Sequence, residues 1–142
     1  MIETLFRDRI INNTDLAAVL GTRVYIVHVP EHEYPLPWVM YRIQSSDPEI
    51  DLSGEIVTVK HIVRVDVLAK TYAESTAIEQ LIIQALHTWP NKPRPSLAIT
   101  CILFAGSAKS PRDEGYQVEM NFAVHADKTT ILPPLPPQSP NP

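Results

Sequence analysis

The chain has 142 residues, 44% of them apolar, with 12 Lys and Arg against 16 Asp and Glu and a net charge of -4. That is enough for one domain with its own core and too little for two of ordinary size. The negative balance argues against a protein whose affinity rests on neutralising nucleic-acid phosphates, and a single cysteine, Cys101, excludes an internal disulfide and a cysteine-based zinc site.

Cys101 sits in an apolar run and reads as a small buried hydrophobe in a reducing compartment. The start Met1-Ile2-Glu3-Thr4 shows no basic leader, so no secretory signal is expected. No run approaches the roughly 18 consecutive apolar residues of a membrane span. The Asn12-Asn13-Thr14 glycosylation pattern then reads as accidental.

Ile2, Leu5, Phe6 and Ile10 recur at helical spacing, and Asn12-Asn13-Thr14-Asp15 interrupts them with side chains suited to capping a second short helix. That helix runs through Leu16-Ala17-Ala18-Val19-Leu20 and stops at Gly21, a residue that tolerates the left-handed C-cap conformation. Val24-Tyr25-Ile26-Val27 predicts a first strand, followed by a proline-punctuated loop over 31–37, and Trp38-Val39-Met40-Tyr41-Arg42-Ile43 a second. Residues 44–54 are polar and read as a connecting loop. In the next segment Val57, Val59, His61, Val63, Val65 and Val67 fall on one face and Thr58, Lys60, Ile62, Arg64 and Asp66 on the other. A long strand with one apolar face predicts a mostly antiparallel sheet covered on one side.

Thr71-Tyr72-Ala73-Glu74 has the spacing of a capping box, opening a long helix over 72–88 with Ala77, Ile78, Leu81, Ile82, Ala85 and Leu86 as its apolar stripe and Trp89-Pro90 as its stop. After a connector at 91–95, residues 97–104 read as a buried strand and 106–115 as a polar turn region. The last strand alternates Tyr116, Val118, Met120, Phe122 and Val124 against Gln117, Glu119, Asn121, Ala123 and His125. The order is that of an α+β fold, a mostly antiparallel β-sheet with one long helix and the N-terminal helices packed on it. Residues 1–128 form the expected domain. Residues 129–142, with Pro133, Pro134, Pro136, Pro137, Pro140 and Pro142, predict an extended tail, either disordered in isolation or laid on a partner.

That order and three local patterns resemble the tail terminator, or tail completion, family of long-tailed bacteriophages. The patterns are Asp15-Leu16-Ala17-Ala18-Val19-Leu20-Gly21-Thr22-Arg23-Val24-Tyr25, then Pro37-Trp38-Val39-Met40-Tyr41, then Val63-Arg64-Val65-Asp66-Val67-Leu68-Ala69 leading into the long helix. The resemblance spans about residues 2–126. Two departures stand out: Leu68 occupies a place where the family often carries an aromatic, and the proline tail has no counterpart. The resemblance implies a tail-terminator-like fold and a virion protein of the tail or neck, assembled in the host cytoplasm. It also implies a homo-oligomeric ring, usually a hexamer, that caps the finished tail tube and joins it to the head-side connector. DNA would pass through the lumen without specific binding. No catalysis, cofactor, metal or membrane contact is expected. The alternatives are another phage neck or head-completion protein, or a non-phage α+β module that binds a small ligand.

Asp47, Glu49, Asp51 and Glu55 fall within nine residues that hold no Lys or Arg. The alternation imitates the opening of an EF-hand, but its sixth position is Leu52 and its twelfth Thr58, where that loop needs glycine and glutamate. What remains is a solvated hairpin loop, a loop facing a ring lumen where it repels phosphates, or one that docks on a basic surface. These four residues, together with Trp38 and the tail prolines Pro133, Pro134, Pro136 and Pro137, are the interface candidates. His28 and His32 lack the helical His-Glu-x-x-His spacing of a zinc site, and Ala105-Gly106-Ser107 lacks the flanking glycine of a nucleophile elbow. His61 and Asp66 fall on opposite faces of one strand and so cannot act as a base and its orienter.

Overall fold

The computed structural model describes residues 2–26, 36–90, 99–113 and 115–127. In chain order it contains α1 (Ile2–Ile11), α2 (Thr14–Leu20), β1 (Val24–Ile26), β2 (Trp38–Ile50), β3 (Ile56–Ala69), α3 (Tyr72–Leu86), β4 (Ile99–Arg112) and β5 (Gly115–Asp127). The strands form one sheet in the order β1-β2-β3-β5-β4. β1 lies parallel to β2 and every other pair is antiparallel. The tail prolines, Pro133, Pro134, Pro136 and Pro137 among them, lie outside the described residues, as do His28, His32 and the connector at 91–95.

The local signals act as their chemistry requires. The Asn13 side chain accepts from the Leu16 amide at 3.1 Å and starts α2, and Gly21, at φ 60°, ends it in a conformation that penalises any residue with a Cβ. Thr71 Oγ1 accepts from the Glu74 amide at 3.1 Å, while the Glu74 carboxylate reaches back to the Lys70 amide at 3.4 Å, one residue before the cap. Past Leu86 the chain turns onto the sheet: the Thr88 amide donates to Ile102 O at 2.7 Å and the Ile102 amide to Trp89 O at 3.0 Å. The helix therefore ends two residues before the expected boundary.

All three helices cover one face of the sheet. Phe6, Ile10, Leu16, Leu20, Ile78, Ile82, Ala85 and Leu86 meet Val63, Val65, Val67, Val118, Met120, Phe122 and Val124 in a single buried cluster. Each large aliphatic side chain buried there contributes about 1.5–3 kcal/mol. On α3 the stripe is rotated slightly from expectation: Ala77 is exposed and Ser75 buried. Ser75 is tolerated inside because its hydroxyl donates to Tyr72 O at 2.7 Å.

Two boundaries and the burial of one residue differ from the sequence expectation. The stretch at 44–50 is strand, because β2 continues to Ile50, with Gln44 as an extra residue between the Ile43–Val63 and Ser45–Ile62 pairs. Likewise 106–112 is strand and the turn is confined to 113–114, with a second bulge between Phe104 and Gly106. Cys101 is half-buried on the face that carries no helix. Both long extensions are edge strands without a buried side chain, so neither shows the apolar alternation that marks a half-buried strand. Pro48 and Pro111 fit there because an edge strand does not need every amide.

Candidate functional site

The face without helices carries a polar network across β3, β5 and β4. Arg64 reaches Asp66 at 3.1 Å on its own strand and Glu119 at 2.7 Å on the next. Gln117 donates to Asp66 at 3.3 Å and accepts from Arg112 at 2.6 Å. Asp66 is 2% exposed, and these partners compensate for removing its charge from water. The alternation of β3 places Arg64 and Asp66 on this face, but their partners become visible only with the strand register.

At one end of the sheet β2 and β3 run on as an arm past the last residues paired with β5, where Thr58 lies opposite Asp127. The structure gathers the four acidic candidates at this end, Asp47 and Glu49 where β2 and β3 still lie beside β5 and Asp51 and Glu55 beyond it. Asp47 and Glu49 lie on β2, opposite Lys60 and Thr58 of β3, on the helix-free face, and Glu49 stands 3.9 Å from the His125 imidazole. Asp51 and Glu55 bracket the turn. Trp38 lies at the far end of β2, half-buried, opposite Leu68, so the structure does not bring it together with the acidic group. What sequence reasoning missed is the apolar content of the arm: Ile50, Leu52 and Val57 are exposed at its tip, Leu52 completely. The signal was present in three apolar residues set among acids, but it carries meaning only once the segment is seen to project.

Asp51 organises the turn. One carboxylate oxygen accepts from the Ser53 hydroxyl at 2.6 Å and from the amides of Ser53 and Glu55 at 2.9 and 3.0 Å. The Ser53 hydroxyl bond, then the Glu55 amide, hold its pKa below the ordinary value of 3.8. A carboxylate with a depressed folded pKa supports the folded turn above its unfolded value and loses that support as pH falls through the folded one. The turn is therefore expected to stay closed at pH 4 and to loosen only below 3.8, seen as acid-dependent shifts of the Ser53 and Glu55 amides in NMR spectra. The same titration in Asp51→Asn is expected to remove those shifts, and a midpoint above 3.8 would contradict this account.

His61, on the helix face of β3, is 1% exposed and shares a 2.7 Å hydrogen bond between its Nδ1 and Ser46 Oγ. The buried imidazole and the exposed serine form a polar pair that fastens β2 to β3 just before the arm. Among the described residues no group of three or more His, Cys, Asp or Glu side chains is placed to hold a metal ion, and no helix is long and apolar enough to cross a membrane.

The two edges of the sheet are each half occupied. Among the described residues β1 pairs with β2 as far as Tyr41, and residues 87–89 hold β4 at Ile102 and Phe104, the latter through a 3.0 Å bond from the Phe104 amide to His87 Nδ1. Among the described residues nothing pairs outside β2 over 42–50 or outside β4 over 105–112. The first of these free stretches carries Arg42 at its start, then Asp47 and Glu49; the second carries Lys109 and Arg112 and no acid. Lys109 is engaged on its own chain, 3.8 Å from Glu79, bonded to Thr76 and 4.4 Å above the Tyr72 ring.

Comparison with known proteins places this geometry. The family model described as tail completion protein gp17 matches residues 6–126. A chain in the virion of a native gene transfer agent particle shares the fold, with a TM-score of 0.70 at 16% identity over 86% of this chain and 91% of that one. The gp17 protein of bacteriophage SPP1 also matches, with a TM-score of 0.49 at 15% identity over 89% and 87% of the two chains. No curated protein sequence matches.

Proposed function

The chain belongs to the tail completion protein gp17 family, and from that premise we propose that it works as a homo-oligomeric ring, six-fold in the simplest case, closing the tail tube and presenting a surface to the head-side connector. Membership makes it a structural protein of the phage virion, located at the tail or neck. It also decides against the non-phage ligand-binding alternative.

The observation that supports the ring is the pair of edges left free on one sheet among the described residues. A closed cyclic ring uses a head-to-tail interface, in which two different patches of each subunit meet. The free stretches of β2 and β4 are two such patches, unlike in sequence and opposite in charge. The work is geometric and requires no catalysis: the ring sets where the tube stops. A net charge of -4 suits a lumen through which DNA passes without being held. The domain in this reading is 1–128, with the prolines of 129–142 as an extension available to a neighbour, the tube or the connector.

Native mass spectrometry with negative-stain microscopy across a concentration series, with and without purified tail tubes, tests this directly. Closed rings, free or on tube ends, are the expected result. A strict monomer even with tubes present would overturn it.

A further inference from the structure

Resting on the ring reading, we infer that neighbouring copies join by a short antiparallel β-ladder in which residues 107–112 of β4 in one copy pair with residues 45–50 of β2 in the next. Strand direction, facing and charge each restrict how the copies can meet. Since β2, β3, β5 and β4 alternate in direction, β2 and β4 run opposite ways. A second copy carried round the ring without inversion therefore brings its β4 antiparallel to β2.

The blocked halves of the edges then force a stagger. β1 occupies β2 through Tyr41 and residues 87–89 occupy β4 through Phe104, so the copies must slide along the strands until the free halves meet. Through the strand registers Arg112 stands one step beyond the level of Ala69, while Arg42, the first β2 residue with no neighbour on that edge among the described residues, is level with Arg64. The slide is about six residues at least, roughly 20 Å at the rise of an extended strand.

Facing narrows it further. Side chains alternate along a strand, so keeping the helix layers of both copies on one side allows only even displacements. A slide of six sets Arg112 directly opposite Arg42, two like charges across a ladder. A slide of ten sets Pro111 opposite Pro48, neither with an amide to donate. A slide of eight avoids both. It sets Arg112 opposite Ser45 and diagonal to Asp47, Ser110 opposite Asp47, Pro111 opposite Ser46 and Lys109 opposite Pro48. The two prolines then each face a residue that can donate. The bulges at Gln44 and before Gly106 bound the ladder at its two ends and keep it from extending into an open aggregate.

Asp47→Cys with Ser110→Cys, in a Cys101→Ser background, tests the register. This is a close, laterally unbonded pair in the inferred ladder, spaced for a disulfide. Treatment of assembled protein with oxidised glutathione is expected to give covalent multimers up to the full ring, and Asp47→Cys with Ala108→Cys, two residues out of register, at least about tenfold less. Rings that form without cross-linking in the matched pair would overturn the ladder while leaving the ring itself intact. A wild-type monomer in the presence of tail tubes would remove both. As a check independent of thiols, Arg112→Glu is expected to weaken ring formation and Asp47→Lys added to it to restore assembly. Assembly indifferent to both changes would also overturn the ladder.

Discussion

Phe122→Ala lowers the unfolding free energy by about 3–5 kcal/mol, the range for deleting a fully buried aromatic. Phe122 sits on β5 between Val63 of β3 and Phe104 of β4, with no exposed surface. Its ring stands 6.0 Å from Phe6, edge to face, and 5.5 Å from Phe104, while Phe6 continues to Tyr41 at 5.5 Å. One side chain thus ties the N-terminal helix, the central strands and the edge strand together. The void left by its removal is walled by a β-sheet held by its backbone and cannot collapse cheaply. A domain of this size has a total stability of about 5–15 kcal/mol, so the variant should unfold at a much lower urea midpoint with little change in slope. A loss below about 1 kcal/mol would mean that the aromatic cluster is not the centre of the core.

Gly115→Ala is the second large effect, at least about 2 kcal/mol, and it arises from backbone crowding with no cavity involved. A Cβ at position 115 would lie 2.0 Å from the carbonyl oxygen of Ala69, 3.0 Å from its carbon and 3.2 Å from Lys70 Cα. All three are main-chain atoms, so no rotamer change relieves the overlap. Relief requires the β4–β5 turn to move away from the point where β3 ends and the Thr71 cap of α3 begins. Urea titration together with amide exchange at 71–74 would separate this from a general loss of stability, since those amides should lose protection first. An Ala variant as stable as the parent would show that the two segments are free to part.

How much of this was legible beforehand depends on whether a segment is buried on one side. The valines of β3 and the alternation over 116–125 marked their strands because one face meets the helices. Asn13, Gly21 and Thr71 marked helix ends because capping is local chemistry, satisfied within a few residues. Residues 44–50 and 106–112 read as loop and turn because neither extension buries an apolar side chain against the helix layer, Lys109 meeting α3 through polar and ring contacts, so no apolar period is imposed. Pro48 and Pro111 also look like breakers until they are seen on edges. The acidic cluster was visible as composition, but its division into a turn-organising Asp51 and strand-borne Asp47 and Glu49 depends on hydrogen bonds and register. The interplay of Arg64, Asp66, Gln117, Glu119 and Arg112 joins residues up to 55 apart along the chain and could be found only in the folded sheet.

The extra residue at Gln44 has a consequence beyond local irregularity. Upstream of it the odd-numbered side chains of β2, Val39 and Tyr41, look into the core; downstream the even-numbered ones, Ser46 and Pro48, share that side with His61. Gln44 therefore works as a phase inverter in the strand. Were Gln44 drawn into the ladder as an ordinary partner of Ile62, the arm would keep its length, its turn and its composition while presenting the mirror pattern, with both acids beneath the sheet and the serine that holds His61 on the outside. Deleting Gln44, by contrast, would straighten the strand and leave both faces of the arm as they are: what fixes its inside is that this one residue stays out of the ladder.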